Sequence, residues 1–227
     1  MNSFTVDGYR FLIQAFIKSG YSFRFFNDGF FPEKVVYLRH DIDFSLRYAL
    51  PIAEEENKLN VHSTYFIQID SSLYNPFELK NRLLIDSIHE MGHLICLHID
   101  ETLVRSEQVF EKYAKTFKLF FPYANTKIIS RHRPNINTPI KWMNERILDV
   151  YSKPFFSEIE YASDSRGEWR YGYPLDRPFF KTRKSIQLLT HPFWWHGKGE
   201  NREKVKSWLL EEQQYRIQSN TFIKKLM

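Results

Sequence analysis

Apolar residues follow two alternating patterns along this chain, one with helical spacing and one of short continuous runs. Between positions 9 and 17 the apolar residues recur three and four apart, and Gly20 follows them as a helix end. We also expect helices over 45–58, 75–92, 103–120 and 200–219. Short runs rich in β-branched and aromatic residues predict strands over 35–38, 61–69, 93–99, 127–130 and 185–190. Residues 134–184, where Pro, Tyr and Gly are frequent, are expected to form long loops with short elements.

Strands that alternate with helices in this way are typical of βαβ units around a parallel sheet or barrel. The periodicity does not by itself choose between an open sheet and a barrel. No internal repeat, low-complexity stretch or linker divides the chain, so we expect one α/β domain over 1–227. Within it, 1–33 would hold a helix and lead-in, 34–196 the main body, and 197–227 a C-terminal helix.

The composition excludes several classes of protein. With 43% hydrophobic and 17% aromatic residues, the chain has too many large rings for an intrinsically disordered protein. Its single cysteine, Cys96, excludes an internal disulfide and a cysteine-rich zinc module, and we expect it to be a buried strand residue. No apolar run approaches the roughly 20 residues of a membrane span. The N-terminus lacks a basic region followed by an apolar stretch, so we expect a cytoplasmic protein.

The net charge of +5 comes from basic residues that are scattered along the chain. No block of five to eight basic residues is present, so we expect no nucleic-acid partner. The surplus suits either a solvated surface or an anionic small substrate.

Residues able to bind metal or move protons follow several of the predicted strands. They are Asp41 and Asp43 after the first strand, His98 in the third, His132 after the fourth and His191 after the last. Because the carboxyl ends of parallel strands lie on one face, these side chains are expected to meet there. Imidazole and carboxylate together suit a divalent metal such as zinc, with open positions for water. A carboxylate beside that water could act as base and a histidine across the site as acid.

Each of these residues also has a structural interpretation. The two aspartates could cap the following helix, although one cap explains only one carboxylate. His98 could be a hydrogen-bonded core histidine, and His132, between two arginines, could face solvent. His191 and the rings at 193–195 could be packing, but ring clusters also line sugar sites. The functional prediction therefore depends on the shared placement of these residues.

Six short segments carry a further pattern. In chain order they are LRHDID at 38–43, STYF at 63–66, GHLICLHID at 92–100, RHRP at 131–134, YASDSRGEW at 161–169 and LLTHP at 188–192. Together they resemble the motifs of the polysaccharide deacetylase family, also called the NodB-homology domain or carbohydrate esterase family 4. The first and third are similar to the RHDxD and GHEIGLHYD forms of a divergent branch that commonly serves surface-polysaccharide or lipopolysaccharide assembly. The resemblance covers about 35–196, most of the chain.

This resemblance implies a distorted (β/α)7 barrel with a metal-dependent hydrolase site. Asp41 would be the general base, and Asp43 and His98 would be ligands of a divalent metal, with zinc favoured and nickel, cobalt or manganese as alternatives. Because Ile42 separates the two aspartates, the sequence does not decide which of them is the base and which is the metal ligand.

The same resemblance implies the acid side of the reaction. His191 would be the general acid, Asp164 would tune it, and Arg133 would orient Asp41. For the substrate, it implies that Leu189 helps to form a pocket for the acyl methyl group. We add Trp169 and Trp194 as sugar-binding rings.

One departure from the family pattern concerns the metal. Thr102 stands four residues after His98, where the family has a second histidine. We expect His132, at a neighbouring strand end, to complete the metal site, with Asp100 behind it.

Two functions remain open from the sequence. The first is a metal-dependent hydrolase that removes an N-acetyl or N-formyl group from an amino sugar, such as one linked to a nucleotide or lipid diphosphate. The second is a catalytically inactive, deacetylase-like module that only binds a sugar. The oligomeric state is left open.

Overall fold

The computed structural model of the protein describes residues 4–136, 140–196 and 205–219. Seven strands form a curled half-barrel in the order β6-β5-β4-β3-β2-β8-β7, and every ladder between them is parallel. Their bounds are β2 Val35–Ile42, β3 Thr64–Gln68, β4 Leu94–Asp100, β5 Asn125–His132, β6 Leu148–Asp149, β7 Glu160–Ser163 and β8 Ile186–Thr190. A short β1, Ser22–Phe23, pairs with the first two residues of β2. The prediction of an α/β barrel in one domain is confirmed.

Helices lie between the strands, as the periodicity predicted. The longer ones are α1 Val6–Lys18, α2 Ala49–Lys58, α3 Leu79–Glu90, α4 Glu107–Phe120 and α7 Val205–Ser219. The side chain of Thr5 caps α1 by accepting from the N–H of Gly8, and Gly20 follows the helix with a φ of +79°. None of the described helices is long and apolar enough to cross a membrane.

The central strands are buried on both faces, which explains why they read as continuous apolar runs. All eight residues of β2 are buried, and so are all five of β3 and β8. Inside the half-barrel, away from the carboxyl ends of the strands, lies a hydrophobic cluster that includes Tyr37, Phe66, Cys96 and Phe155. Cys96 is therefore a buried strand residue, as expected, and burial raises the pKa of its thiol well above its ordinary value. Space remains at the carboxyl ends of the strands.

Residues 134–184 form short elements among loops, as expected, but the sequence did not locate those elements. This segment contains β6, β7 and two short helices, α5 Lys153–Phe156 and α6 Pro178–Thr182, which are too short to show a period. Within the described ranges no ladder joins β6 to β7, so the barrel is open at that seam. Side chains are in contact across the seam. The ring of Phe156 lies 5.3 Å from that of Tyr151 and 4.9 Å from that of Tyr161. The start of the predicted C-terminal helix, 200–204, lies outside the described residues.

Candidate active site

An open cleft of about 1010 Å³ lies at the carboxyl ends of the strands. Five of the predicted site residues line it at the ends of four strands: Asp41, Asp43, His98, His132 and His191. The structure thus places these side chains together at one face of the sheet, and their roles stay predictions.

His191, which lines the cleft, is paired with the buried carboxylate of Asp164. The Nδ1 atom of His191 lies 2.6 Å from Asp164 Oδ1, and the backbone N–H of His191 donates to the same carboxylate at 3.0 Å. Asp164 is fully buried and also accepts from Trp195 Nε1 at 2.8 Å. Burial alone would lower the pKa of His191, but the adjacent Asp164 raises it to about 9.

Asp43 stands between two histidines. Its Oδ1 lies 3.1 Å from His98 Nε2, and its Oδ2 lies 3.7 Å from His191 Nε2. Burial would raise the pKa of Asp43, but the charges of His98, His191 and His132 outweigh it and hold that pKa below its ordinary value. For His98, burial is outweighed by Asp41 and Asp43, which raise its pKa. Asp43 therefore stays a carboxylate throughout the neutral range.

Asp41 lies deeper, and only one of its oxygens is engaged. Ser130 Oγ donates to Asp41 Oδ2 at 2.9 Å, and Arg39 Nη2 lies 3.4 Å from the same oxygen. Asp41 Oδ1 is buried and has no hydrogen-bond partner. A buried carboxylate oxygen without a donor is costly unless a ligand or water completes it. Asp41 thus presents an acceptor to whatever enters the cleft.

The pair Asp43 and His98 fits the first two ligands of a divalent metal. Asp43 Oδ1 is buried without a hydrogen bond even though His98 Nε2 is only 3.1 Å away. That separation suits adjacent ligands of a zinc-type cation, whose bonds are about 2.0–2.2 Å long. Among the residues that the structure describes, however, no group of three or more His, Cys, Asp or Glu side chains could hold a metal ion. The metal itself stays a prediction.

His132 does not join Asp43 and His98 in such a group. Its ring lies 5.4 Å from that of His98, and its Nδ1 lies 3.6 Å from Asp100 Oδ2. Thr102 donates its N–H and its hydroxyl to Asp100 Oδ1, at 2.8 and 2.6 Å. Thr102 thus holds Asp100 in a turn beside His132. A histidine that binds a metal usually has a carboxylate behind it, and Asp100 lies behind His132 in this way. Metal binding by His132 stays a prediction.

The arginine beside Asp41 is Arg39, whereas the resemblance implied Arg133 for this position. Arg39 is fully buried, donates to Tyr151 Oη at 2.6 Å and lies over the ring of Tyr151 at 4.5 Å. Arg133 lines the cleft from an exposed position with a φ of +50°. Sequence reasoning missed Arg39 and also Ser130, although both stand inside the quoted motif segments or directly beside them.

The three predicted substrate-binding residues have different surroundings. Leu189 and Trp194 are buried and line the cleft, in agreement with a role near the substrate. Trp169 does not line it. Its ring lies 5.9 Å from that of Phe4 and 6.1 Å from that of Trp195, as part of the core between α1 and β8. The position of Trp169 thus favours packing over contact with a sugar.

Comparison with known proteins gives a similarity of fold. No protein-family model and no curated protein matches the sequence. One similar solved structure is a family 4 carbohydrate esterase from Bacillus anthracis, with 15% identity and a TM-score of 0.42, over 91% of this chain and 86% of that one. Another is the chitin deacetylase from the fungal pathogen Colletotrichum lindemuthianum, with 11% identity and a TM-score of 0.43, over 81% of this chain and 84% of that one.

Proposed function

We propose that this protein is a hydrolase that removes an N-acyl group, acetyl or formyl, from an amino sugar. The observation that carries the proposal is the meeting of two pairs in one cleft. The Asp164–His191 pair and the Asp43–His98 pair approach each other at 3.7 Å, through His191 Nε2 and Asp43 Oδ2. The unpartnered oxygen of Asp41 lines the same cleft. Amide hydrolysis requires an acid and a base close to the same bond, together with a group that polarises the acyl oxygen. His191 and Asp41 would be the acid and the base, and the Asp43–His98 pair would hold the polarising cation.

On the base side, Asp41 would take a proton from the attacking water. Its free Oδ1 is the acceptor, while Ser130 and Arg39 hold Oδ2 and so fix the plane of the carboxylate. The water oxygen bonds to the acyl carbon, and the C–N bond then breaks. A positioned base of this kind contributes about 10²- to 10⁴-fold to the rate.

On the acid side, His191 would give a proton to the departing amine. With its pKa raised to about 9 by Asp164, the ring carries that proton at neutral pH. Asp164 engages Nδ1, so Nε2 is the nitrogen directed towards Asp43 and the cleft. The products are the free carboxylic acid and the amino sugar.

Asp43 and His98 would hold a divalent cation, with His132 as the proposed third ligand. When bound, such a cation polarises an acyl oxygen and lowers the pKa of a water molecule. The buried Leu189 and Trp194 would contact the acyl group and the sugar. We further propose a role in surface-polysaccharide or lipopolysaccharide assembly in the cytoplasm, which is supported by the motif resemblance alone.

The test combines metal content with release of the acyl group. Protein purified without chelator, wild type, Asp43→Asn and His132→Ala, would be assayed for zinc, nickel, cobalt and manganese. Acetate and formate release would be measured from N-acylated glucosamine derivatives before and after metal removal. We expect about one metal per chain in the wild type, loss of metal in both variants, and metal-dependent release of acid. Metal retained in His132→Ala would move the third ligand elsewhere, with Asp100 next in line.

A sugar-binding module without activity is the second candidate. It is favoured by Thr102 in place of a histidine and by the missing third ligand among the described side chains. Wild-type protein that takes up no metal on reconstitution, releases no acid and still binds N-acetylated sugars would establish this candidate and reject the hydrolase.

A further inference from the structure

Three arginines line the same cleft without an acidic partner. Arg133, Arg166 and Arg170 are exposed and contribute to its wall. No ion pair with a carboxylate involves any of the three within the part of the chain that the structure describes. They bring three positive charges to a cleft whose reactive residues lie only a few ångströms from one another.

The other two arginines near the cleft have partners. Arg131 is buried between Glu101 at 2.8 Å and Asp149 at 2.9 Å, and Arg39 is buried beside Asp41. Partnered arginines of this kind position other side chains and contribute little net charge to a ligand. The contrast sets the three unpaired arginines apart, because solvent-exposed guanidinium groups remain available to an oxyanion.

The three arginines also flank the reactive cluster from two sides. Arg133 follows β5, whereas Arg166 and Arg170 follow β7. In the sheet order, the strands that carry Asp41, His98 and the chain to His191 lie between β5 and β7. The arginines therefore line the cleft on both sides of the reactive cluster, after β5 and after β7.

Two of these arginines have an unusual backbone conformation, which Lys34, Asn60 and Arg183 share outside the cleft. Arg133 and Arg166 have φ values of +50° and +65°, in the left-handed region that residues other than Gly, Asn and Asp seldom adopt. Such conformations persist where the surrounding structure imposes them, and they are concentrated at binding and catalytic sites. Two of the three unpaired arginines in the cleft share this property.

We propose that Arg133, Arg166 and Arg170 bind the diphosphate of a diphosphate-linked amino sugar whose N-acyl group lies at Asp41 and His191. This inference rests on the proposed hydrolase function, since it assigns the substrate class of the same cleft. Guanidinium groups bind phosphate oxygens through paired N–H donors. Three unpaired positive charges match a diphosphate, which carries two or more negative charges, better than a single sugar carboxylate.

The direct test is binding of inorganic pyrophosphate, measured by titration calorimetry at low and physiological salt. The variants are Arg133→Gln, Arg166→Gln and Arg170→Gln, alone and combined. The matched control is Arg183→Gln, because Arg183 is also exposed and has a φ of +59°, but does not line the cleft. We expect each cleft variant to weaken binding about tenfold and the control to leave it unchanged. Unfolding midpoints would confirm that every variant is folded.

Three results would overturn the proposal: no pyrophosphate binding by the wild type, equal weakening by Arg183→Gln, or binding of glucuronate as tight as that of pyrophosphate. The last result would assign the arginines to a sugar carboxylate.

Activity separates this proposal from the one on which it rests. Acetate release would be compared for UDP-N-acetylglucosamine and the neutral N,N′-diacetylchitobiose. We expect the diphosphate substrate to be preferred by the wild type and the preference to vanish in the triple variant. Equal turnover of both substrates, unaltered by the triple variant, would reject the arginine site and keep the hydrolase. Arginine-dependent pyrophosphate binding without any acyl release would reject the hydrolase and keep an anion site.

Discussion

Two clusters in this domain combine histidine with carboxylate, and they differ in how far their polar atoms are satisfied. The first lies under α1 and α2, outside the half-barrel, around Glu56. Tyr9 and His40 approach Glu56 Oε1, the latter at 2.7 Å, while Ser63 and Tyr65 donate to Oε2 at 2.7 and 3.1 Å. Every oxygen of this fully buried carboxylate is therefore engaged.

The second cluster, around Asp43, is left incomplete at several atoms. Asp41 Oδ1, Asp43 Oδ1, His98 Nδ1 and His132 Nδ1 are buried without a hydrogen-bond partner. Both clusters hold the same residue types at similar distances, so residue type alone does not distinguish structure from function. The unsatisfied atoms do, because a fold gains nothing from leaving buried polar groups without partners. We therefore expect the Glu56 cluster to stabilise the domain and the Asp43 cluster to bind a ligand.

The largest effect is expected from Asp41→Asn, in the incomplete cluster. An asparagine can keep its oxygen at the Ser130 and Arg39 contacts and place its NH₂ where Oδ1 has no partner. Turnover should fall about 10²- to 10⁴-fold because the base is lost. The free energy of unfolding should fall by about 1–3 kcal/mol at most. Turnover within a factor of three of the wild type would show that Asp41 is not the base.

The next largest effect is expected from Glu56→Gln, in the satisfied cluster. In either orientation, the glutamine NH₂ faces groups that donate to Glu56 in the wild type, such as Ser63 and Tyr65. The substitution also removes the negative charge that faces His40. Breaking a buried ionic network of this kind costs about 3–5 kcal/mol. Glu55→Gln is the matched control. Glu55 is also buried, but its partners Arg10 and Lys58 are exposed to solvent, so its loss should cost less, about 1 kcal/mol. Chemical denaturation of both variants measures the difference.

The Glu56 carboxylate and the His191 imidazole should stabilise the fold with opposite dependences on pH. His40 and His93 hold the pKa of Glu56 down to about 2 against the opposing effect of burial, so its stabilisation is present above the ordinary pKa of 4.5 and is lost as the pH falls towards 2. The pKa of His191 is raised from 6.5 to about 9, so its stabilisation is present below 6.5 and is lost as the pH rises through 9. Unfolding curves from pH 2 to 10 should therefore lose stability at both ends.

Variants measure what Glu56 and the Asp164–His191 pair each contribute to that profile. Glu56→Gln should flatten only the acid limb, and Asp164→Asn only the alkaline limb. In the second variant, the pKa of His191 measured by nuclear magnetic resonance should fall towards 6.5. A His191 pKa near 9 in Asp164→Asn would contradict the role given to Asp164.

The sequence predicts the fold class and part of the incomplete cluster, because both depend on local patterns. Alternating strands and helices predict the parallel sheet, and the strand ends locate Asp41, Asp43 and His98 on one face. In 134–184 the sequence predicts short elements but does not locate them. The strands β6 and β7 have two and four residues, which is too few to show a period.

The satisfied cluster is not predictable from the sequence for a different reason. Glu56 ends a run of three glutamates, and only packing shows that its side chain is the one directed inwards beneath Tyr9. Arg39 follows the predicted strand 35–38, and the sequence does not reveal that the strand continues to Ile42 or what lies across the sheet from Arg39. Such contacts join residues far apart in the chain, as with Ser130 and Asp41, and local patterns do not contain them.

The smallest effect is expected from Trp169→Phe. This variant tests whether Trp169 packs in the core or contacts the substrate. Trp169 packs on Phe4 and Trp195 and does not line the cleft, so a phenyl ring should cost about 1–2 kcal/mol of stability. KM and kcat should stay within about twofold of the wild type, because no substrate contact is lost. Trp194→Phe is the control, since Trp194 does line the cleft and its variant should raise KM while leaving kcat nearly unchanged. A tenfold rise of KM in Trp169→Phe would return this ring to the sugar site and show that loop 164–173 moves onto the substrate.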